Sequence, residues 1–466
     1  MAGYSLLSLC WDLLCNLLCK GSSLKTEKKM KKSGAGINTP WGSALLGRLA
    51  GAGRYGVPVL AAACLSFAGA AQAKKNEWEQ IPLEGAIQAE LPDGSSRVLE
   101  PSCSGGPLPT DGWPIPAPTE YSFFIQKGNP EKILIAFDGG GACWDANTCI
   151  ASPLFPQAFG GRATYSPMVD ETVEGLAASG GVLDDGNSRN PFQNYTKVFV
   201  PYCSGDIHWG SRDTTYVLDL PTGSIPWQIR HRGTDNFLAV LDWLKKNGGD
   251  KYNLDFSEVS DVTVTGASAG GYGADLAFAY VAEMFQEHTQ LNLVSDSAVG
   301  VIDSPDPTQQ LSFYGDAIYD VSAPGSESWG VEANLPPWVP GLDSSLLYAA
   351  SSSPNSLVPS VFAKLADYRP DARFASITPN LDLVQIQFYG IMKGAFDDVT
   401  AGEWYFTMAA LTGQTAALPN YRFFIEDGTF HTFIFSDDQF YQSGANGVSV
   451  ADWISAMIKP GNRAWD

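Results

Sequence analysis

The chain has 466 residues, 44% hydrophobic and 12% aromatic, with 48 Gly and 30 Pro, a composition that suits one large packed core and excludes a disordered or fibrous protein. Acidic residues outnumber basic ones 50 to 29, a formal charge of -21, so a nucleic-acid backbone or an anionic membrane surface would repel it.

In chain order the first element is a targeting segment. Residues 57–68 (VPVLAAACLSFA) form an apolar run behind Lys31, Lys32, Arg48 and Arg54 and ahead of Ala71-Gln72-Ala73, the small-x-small pattern of a signal-peptidase site. Cleavage is expected after Ala73, with Met30 as the expected initiator. Neither this run nor the one near residue 10 reaches the roughly 18 apolar residues of a span, so no stable membrane insertion is expected. Residues 1–73 hold eight of the basic and two of the acidic residues, leaving 21 against 48 and a net charge of -27 in residues 74–466. The expected product is a strongly acidic monomer, secreted or periplasmic.

Cleavage removes Cys10, Cys15, Cys19 and Cys64 and leaves Cys103, Cys143, Cys149 and Cys203. Four cysteines in an oxidising compartment imply two disulfides with three possible connectivities. The short interval favours Cys143 with Cys149, leaving Cys103 with Cys203. No CxxC spacing or His pair points to zinc, and no metal is expected.

Six apolar, β-rich runs follow: 132–137 (KILIAF), 197–202 (KVFVPY), 261–266 (DVTVTG), 291–294 (LNLV), 372–377 (ARFASI) and 421–426 (YRFFIE). Helical patterns alternate with them at 232–246, where Phe237, Val240, Leu241 and Leu244 recur at helical spacing, at about 270–287 and at 448–458. This alternation predicts an α/β fold, a mostly parallel central sheet flanked by helices, in one domain spanning 74–466. The Pro-, Ser-, Gly- and Trp-rich interval 304–371 is too long for a plain connection and is expected to be a lid-like insertion, with Trp329, Trp338 and Leu347 available for an apolar rim.

Chemistry concentrates at strand ends. Gly266-Ala267-Ser268-Ala269-Gly270 joins a strand to a helix, the setting in which small residues let the chain turn sharply and hold a serine hydroxyl above the sheet. A serine needs a base, and the base an orienting acid. His431 follows the last strand and is the candidate base, whereas His231 and His288 read as surface or capping residues. Asp382, after the penultimate strand, is the candidate acid, with Asp296 its rival as the end of the strand after the nucleophile helix. Asp138-Gly139-Gly140-Gly141-Ala142 follows the first run, so the N–H groups of Gly140, Gly141 and Ala269 are the candidate oxyanion donors. Asp206, His208 and Trp209, in the loop after the second run, are candidate substrate contacts.

Five motifs, FDGGGACW with Cys149, PYCSGDIHWGS (201–211), GASAGG (266–271), DSAVGVID (296–303) and DLVQ (382–385), together resemble the pectin acetylesterase and Notum-like carboxylesterase family. The resemblance spans about 130 to 435. It implies an α/β-hydrolase fold with Ser268 as nucleophile, His431 as base and Asp382 as orienting acid, the last supported by its DxxQ context. Where members of this family often carry a bulky aromatic just before the cysteine, this chain has Ala142. The expected function is an exported serine esterase that removes a short acyl group, acetyl among the candidates, from a carbohydrate or polyol ester, with no cofactor. Two alternatives are a lipase-like or polyester-depolymerising enzyme with the same triad and a non-catalytic binding module on the same fold.

Overall fold

A computed structural model describes residues 77–459 and 461, apart from 307, 396, 397 and 443. The expected targeting segment, residues 1–73, and its expected cleavage site lie outside the described residues.

Ten strands matter for the site. They are β1 (Trp78–Leu83), β2 (Tyr121–Gln126), β3 (Asn129–Phe137), β4 (Tyr195–Val200), β5 (Arg212–Leu220), β6 (Gly223–His231), β7 (Asp261–Ala267), β8 (Gln290–Asp296), β9 (Arg373–Pro379) and β10 (Tyr421–Glu426). Eight of them form one sheet in the order β1-β2-β4-β3-β7-β8-β9-β10. Pairing is antiparallel from β1 to β2 and from β2 to β4, and parallel from β4 through β10. All six predicted runs are strands of the parallel part. Every residue of β7 is buried, which explains its continuous hydrophobicity. Not expected from the sequence were β1 and β2, which follow no helix among the described residues and abut a Pro-rich opening segment, and the antiparallel ribbon β5–β6, paired from Arg212↔His231 to Leu220↔Gly223.

Among the described residues six helices of nine or more residues accompany the sheet: α1 (Gly233–Tyr252), α2 (Ala269–Ala282), α3 (Leu357–Tyr368), α4 (Leu383–Lys393), α5 (Asp398–Thr415) and α6 (Val450–Ile458). Among the described residues no helix is long and apolar enough to cross a membrane. The strand period of two sends alternate side chains to opposite faces. Ile133, Ile135, Phe137, Val262, Val264, Leu291 and Leu293 join the core under α1 and α2. Leu134, Ala136, Phe199, Val294, Ala375 and Ile377 face the other way and pack with Val450, Ile454 and Met457 of α6. Helix α2 stops earlier than expected because Met284 and Phe285 turn back into the core, where Phe285 meets Phe256 at 5.6 Å between ring centroids.

The interval 304–371 holds α3 and several short turns. Trp329 and Leu347 are fully buried, and Trp329 Nε1 donates to the Cys143 carbonyl at 2.9 Å. These side chains belong to the core, so the expected exposed rim is not formed by them. The disulfides join Cys103 to Cys203 and Cys143 to Cys149, and all four cysteines are buried.

Several carboxyl groups are buried. Burial pushes Asp206 and Asp261 up to about 6 and Asp296 up to about 7. It holds Asp275 on α2 well above the usual carboxylate range, where neither carboxylate oxygen has a hydrogen-bond partner. Each of these groups keeps a proton in the folded state at a pH where the unfolded chain has already released it. For Asp206, Asp261 and Asp296 the contribution to stability is therefore present near pH ~4 and is lost as pH rises through about 6 to 7; Asp275 acts in the same direction. The thermal midpoint is expected to fall between about pH 4.5 and 7.5, with a shallower fall in Asp275→Asn. A midpoint that rises over this range, measured by calorimetry, would contradict the assignment.

Candidate active site

Strand β7 ends at Ala267 and α2 begins at Ala269, leaving Ser268 between them at φ +58° and ψ -123°, a costly conformation that persists only where its surroundings enforce it. Those surroundings are steric. A Cβ on Gly266 would lie 2.0 Å from the Gly270 carbonyl oxygen, and one on Gly270 would lie 2.2 Å from that of Phe137. The Ser268 N–H donates to the Asp296 carbonyl at 2.8 Å, tying the turn to the end of β8.

Asp382 follows β9 and caps α4. Its Oδ1 accepts the N–H groups of Val384 and Gln385 at 3.0 Å each, and Gln385 Nε2 donates to Oδ2 at 3.0 Å. This explains the DxxQ spacing: the glutamine lies one helical turn on, with its amide returned to the carboxylate. Asp382 is fully buried, and its remaining partner is His431, whose Nδ1 lies 2.9 and 2.7 Å from the two oxygens. With Nδ1–H given to the carboxylate, the lone pair sits on Nε2. That atom is buried without a hydrogen-bond partner, and His431 lines the same cavities as Ser268. The rival acid, Asp296, points elsewhere, with its Oδ2 accepting the N–H groups of Phe433 at 2.6 Å and Ile434 at 2.9 Å.

The glycine loop runs past Ser268. Gly141 has φ +81°, and a Cβ there would lie 2.0 Å from the Thr164 carbonyl oxygen, so no other residue fits. Ala142 N–H donates to Thr164 O at 2.8 Å, and Ser166 N–H donates to Gly140 O at 3.0 Å. These bonds pin the loop from both sides. Gly140, Gly141 and Ala269 all border the cavities at Ser268.

The loop after β4 departs from expectation. Asp206 is fully buried; it accepts from Ser204 Oγ at 2.6 Å and from the His208 and Gly233 N–H groups at 3.1 and 2.8 Å, which makes it the brace of the α1 N-terminus. His208 is buried, with Nε2–H given to the Asp138 carbonyl at 3.0 Å, and burial lowers it to about 4. Neither side chain lines a cavity at Ser268, so the expectation of substrate contact is corrected for both. Trp209 does line one, with its Nε1 donating to Tyr272 O at 2.6 Å. His231 is also corrected. It is wholly buried, donates from Nδ1 to Ser204 O and accepts from Tyr216 OH, both at 2.9 Å, and is lowered by burial to about 3. His288 is exposed, as expected.

Two cavities of opposite character meet at Ser268 and His431. One is narrow and walled by apolar side chains, among them Ala142, Trp144, Phe313, Val358, Met392 and Trp404. The other is wider and polar, with Asp138, Arg162, Tyr165, Asp170 and Gln387 in its wall. Burial and the neighbouring Glu171 hold the Asp138 carboxyl well above the usual range. Arg162, Phe388, Gln387 and Trp404 escaped the sequence reading. Gln387 and Phe388 lie on α4 and Trp404 on α5, and α5 carries almost no amphipathic period that could have marked it.

A sharp strand–Ser–helix turn on a parallel sheet, with an Asp-paired histidine from the loop after the last strand, defines an α/β-hydrolase. Residues 118–320 match the family model described as Pectinacetylesterase, a stretch that contains the glycine loop and the turn at Ser268. Over these residues the chain is similar to the pectin acetylesterase family, and part of it is similar to a Notum carboxylesterase. It is 29% identical over 144 residues to the palmitoleoyl-protein carboxylesterase NOTUM of Schmidtea mediterranea, an alignment covering 31% of this chain and 23% of that protein, so the chain spans under a quarter of that relative's length. Two crystal forms of the Wnt deacylase Notum from Drosophila superpose with TM-scores of 0.48 and 0.49 at 17% and 16% identity. They cover 80% and 82% of this chain and 93% of the other.

Proposed function

We propose that this chain is a serine carboxylesterase that acts through an acyl-enzyme on Ser268, with His431 as general base and Asp382 as its orienting acid. Attack of Ser268 Oγ on the ester carbonyl passes its proton to His431 Nε2 and puts charge on the carbonyl oxygen, where the N–H groups of Gly140, Gly141 and Ala269 are the donors. Collapse of this intermediate expels the alcohol, which takes the proton back. Water then repeats the sequence to release the acid. The observation that carries this reading is the Asp382–His431 pair, whose free Nε2 shares a cavity wall with the serine of the turn.

The two cavities divide the ester. The apolar one takes the acyl chain and the polar one the hydroxyl-bearing alcohol. Apolar side chains line that cavity from Ala142 beside the glycine loop to Met392 and Trp404, so the acyl site is proposed to prefer a longer chain than the sequence alone suggested. Ala142 keeps this cavity open. The Schmidtea relative carries a long acyl ester in its name, which agrees, whereas the description of the matching family favours acetyl. The two disulfides suit an oxidising compartment, and residues 74–466 are proposed as the exported catalytic unit.

Each buried methylene is worth about 0.8 kcal/mol, so kcat/KM for p-nitrophenyl octanoate is expected to exceed that for the acetate by at least about tenfold. Ala142→Trp is expected to lower the octanoate value by about tenfold and the acetate value by less than about threefold. Acetate as the better substrate of the parent protein would overturn the long-chain reading. A folded protein that cleaves neither ester above background would overturn the esterase reading and favour a binding module.

A further inference from the structure

Asp296, discarded as the orienting acid, holds together the segments that carry the serine and the histidine. Its carbonyl accepts the Ser268 N–H at 2.8 Å. Its carboxylate Oδ2 accepts the N–H groups of Phe433 and Ile434, two and three residues beyond His431. The next residue, Ser297, extends the grip. Ser297 Oγ accepts the Thr432 N–H at 3.2 Å and donates to Asp296 Oδ1 at 3.1 Å, while the Ser297 N–H donates to Ile377 O on β9, at 2.8 Å. Three successive backbone N–H groups after His431 are thus held by two adjacent side chains at the end of β8. Thr432 and Ser297 have φ of +64° and +55°, so the loop adopts a conformation that it would leave if released.

We propose that Asp296 and Ser297 are positioning residues that fix the His431 loop at the distance from Ser268 needed for proton transfer. The inference rests on the esterase reading above. Asp296 is fully buried and is not part of either cavity wall at Ser268, so it acts through the backbone and not on the substrate. A base displaced by about 1 Å costs on the order of 100-fold in rate, and for Asp296 the loss falls on kcat because its side chain borders neither lobe of the substrate site, whereas Ser297 also borders the apolar one.

The test compares the full-length protein with Asp296→Ala, Asp296→Asn and Ser297→Ala on p-nitrophenyl octanoate, with Ser268→Ala alongside. Asp296→Ala is expected to lose about 100-fold in kcat with KM within about threefold. Asp296→Asn keeps an oxygen for the Phe433 and Ile434 N–H groups and is expected to recover at least about tenfold of that loss. Where Asp296→Ala does not fold, Ser297→Ala carries the test, with an expected loss in kcat of about fivefold from removing the Thr432 contact and the hydrogen bond to Asp296 Oδ1. Retention of full kcat by folded Asp296→Ala, or equal impairment of the Ala and Asn variants, would overturn the proposal; so would full kcat in Ser297→Ala when it alone carries the test. An inactive parent protein, or a Ser268→Ala variant as active as the parent, would instead overturn the esterase reading on which the proposal rests.

Discussion

Ser268→Ala is expected to lower kcat for p-nitrophenyl octanoate by on the order of 10⁵-fold or more while leaving KM and the thermal midpoint nearly unchanged. The magnitude follows from the mechanism: without the hydroxyl no acyl-enzyme forms, and only the donors of the glycine loop and substrate binding remain to assist water. The fold should tolerate the change. The turn is enforced by the close approaches at Gly266 and Gly270 and by the Ser268 N–H bond to Asp296 O, none of which involves the hydroxyl. Steady-state kinetics with a calorimetric control checks both halves; a residual rate within about tenfold of the parent would assign the chemistry elsewhere.

Asp382→Asn is expected to cost on the order of 10⁴-fold in kcat with the fold retained. An asparagine still caps α4, because its amide oxygen can accept the Val384 and Gln385 N–H groups that Asp382 Oδ1 now receives, and Asn is as good an N-cap as Asp. Its NH₂ would then face His431 Nδ1. A donor there forces Nδ1 to accept, moving the ring proton to Nε2 and removing the lone pair that takes the proton from Ser268. Asp382→Ala should be as inactive and also less stable, since it loses the cap as well. An Asp382→Asn variant with parental kcat would exclude Asp382 as the orienting acid.

Much of this arrangement is legible in the sequence. The six buried runs were visible because strands covered on both faces are almost wholly apolar. Ser268 was visible because its turn is a local steric problem with a local solution in glycine and alanine. Asp382 and His431 were accessible through chain order, each lying just after a strand that the sequence marked clearly.

Burial of polar loop residues was not legible. Asp206 and His208 read as substrate contacts because a polar loop beside a strand end is normally solvated. What encloses them is the start of α1 and the Asp138 carbonyl, neither of which is near in sequence. His231 was misread for the same reason, since Ser204 and Tyr216 reach it from two other segments. The apolar cavity was hidden as well. Its wall draws Trp144, Phe313, Val358, Met392 and Trp404 from segments scattered over some 260 residues, and no periodicity along the chain reports a surface made in that way. Trp329 and Leu347 show the converse error, apolar residues in an insertion that became core.

The central claim is that Ser268 becomes covalently acylated, and covalent capture tests it most directly. Treatment of the full-length protein with a fluorophosphonate, followed by intact mass and peptide mapping, is predicted to give a single adduct on Ser268, with parallel loss of esterase activity and no adduct in Ser268→Ala. A folded, esterase-active protein that carries no adduct, or carries it on another residue while activity disappears, would contradict the account.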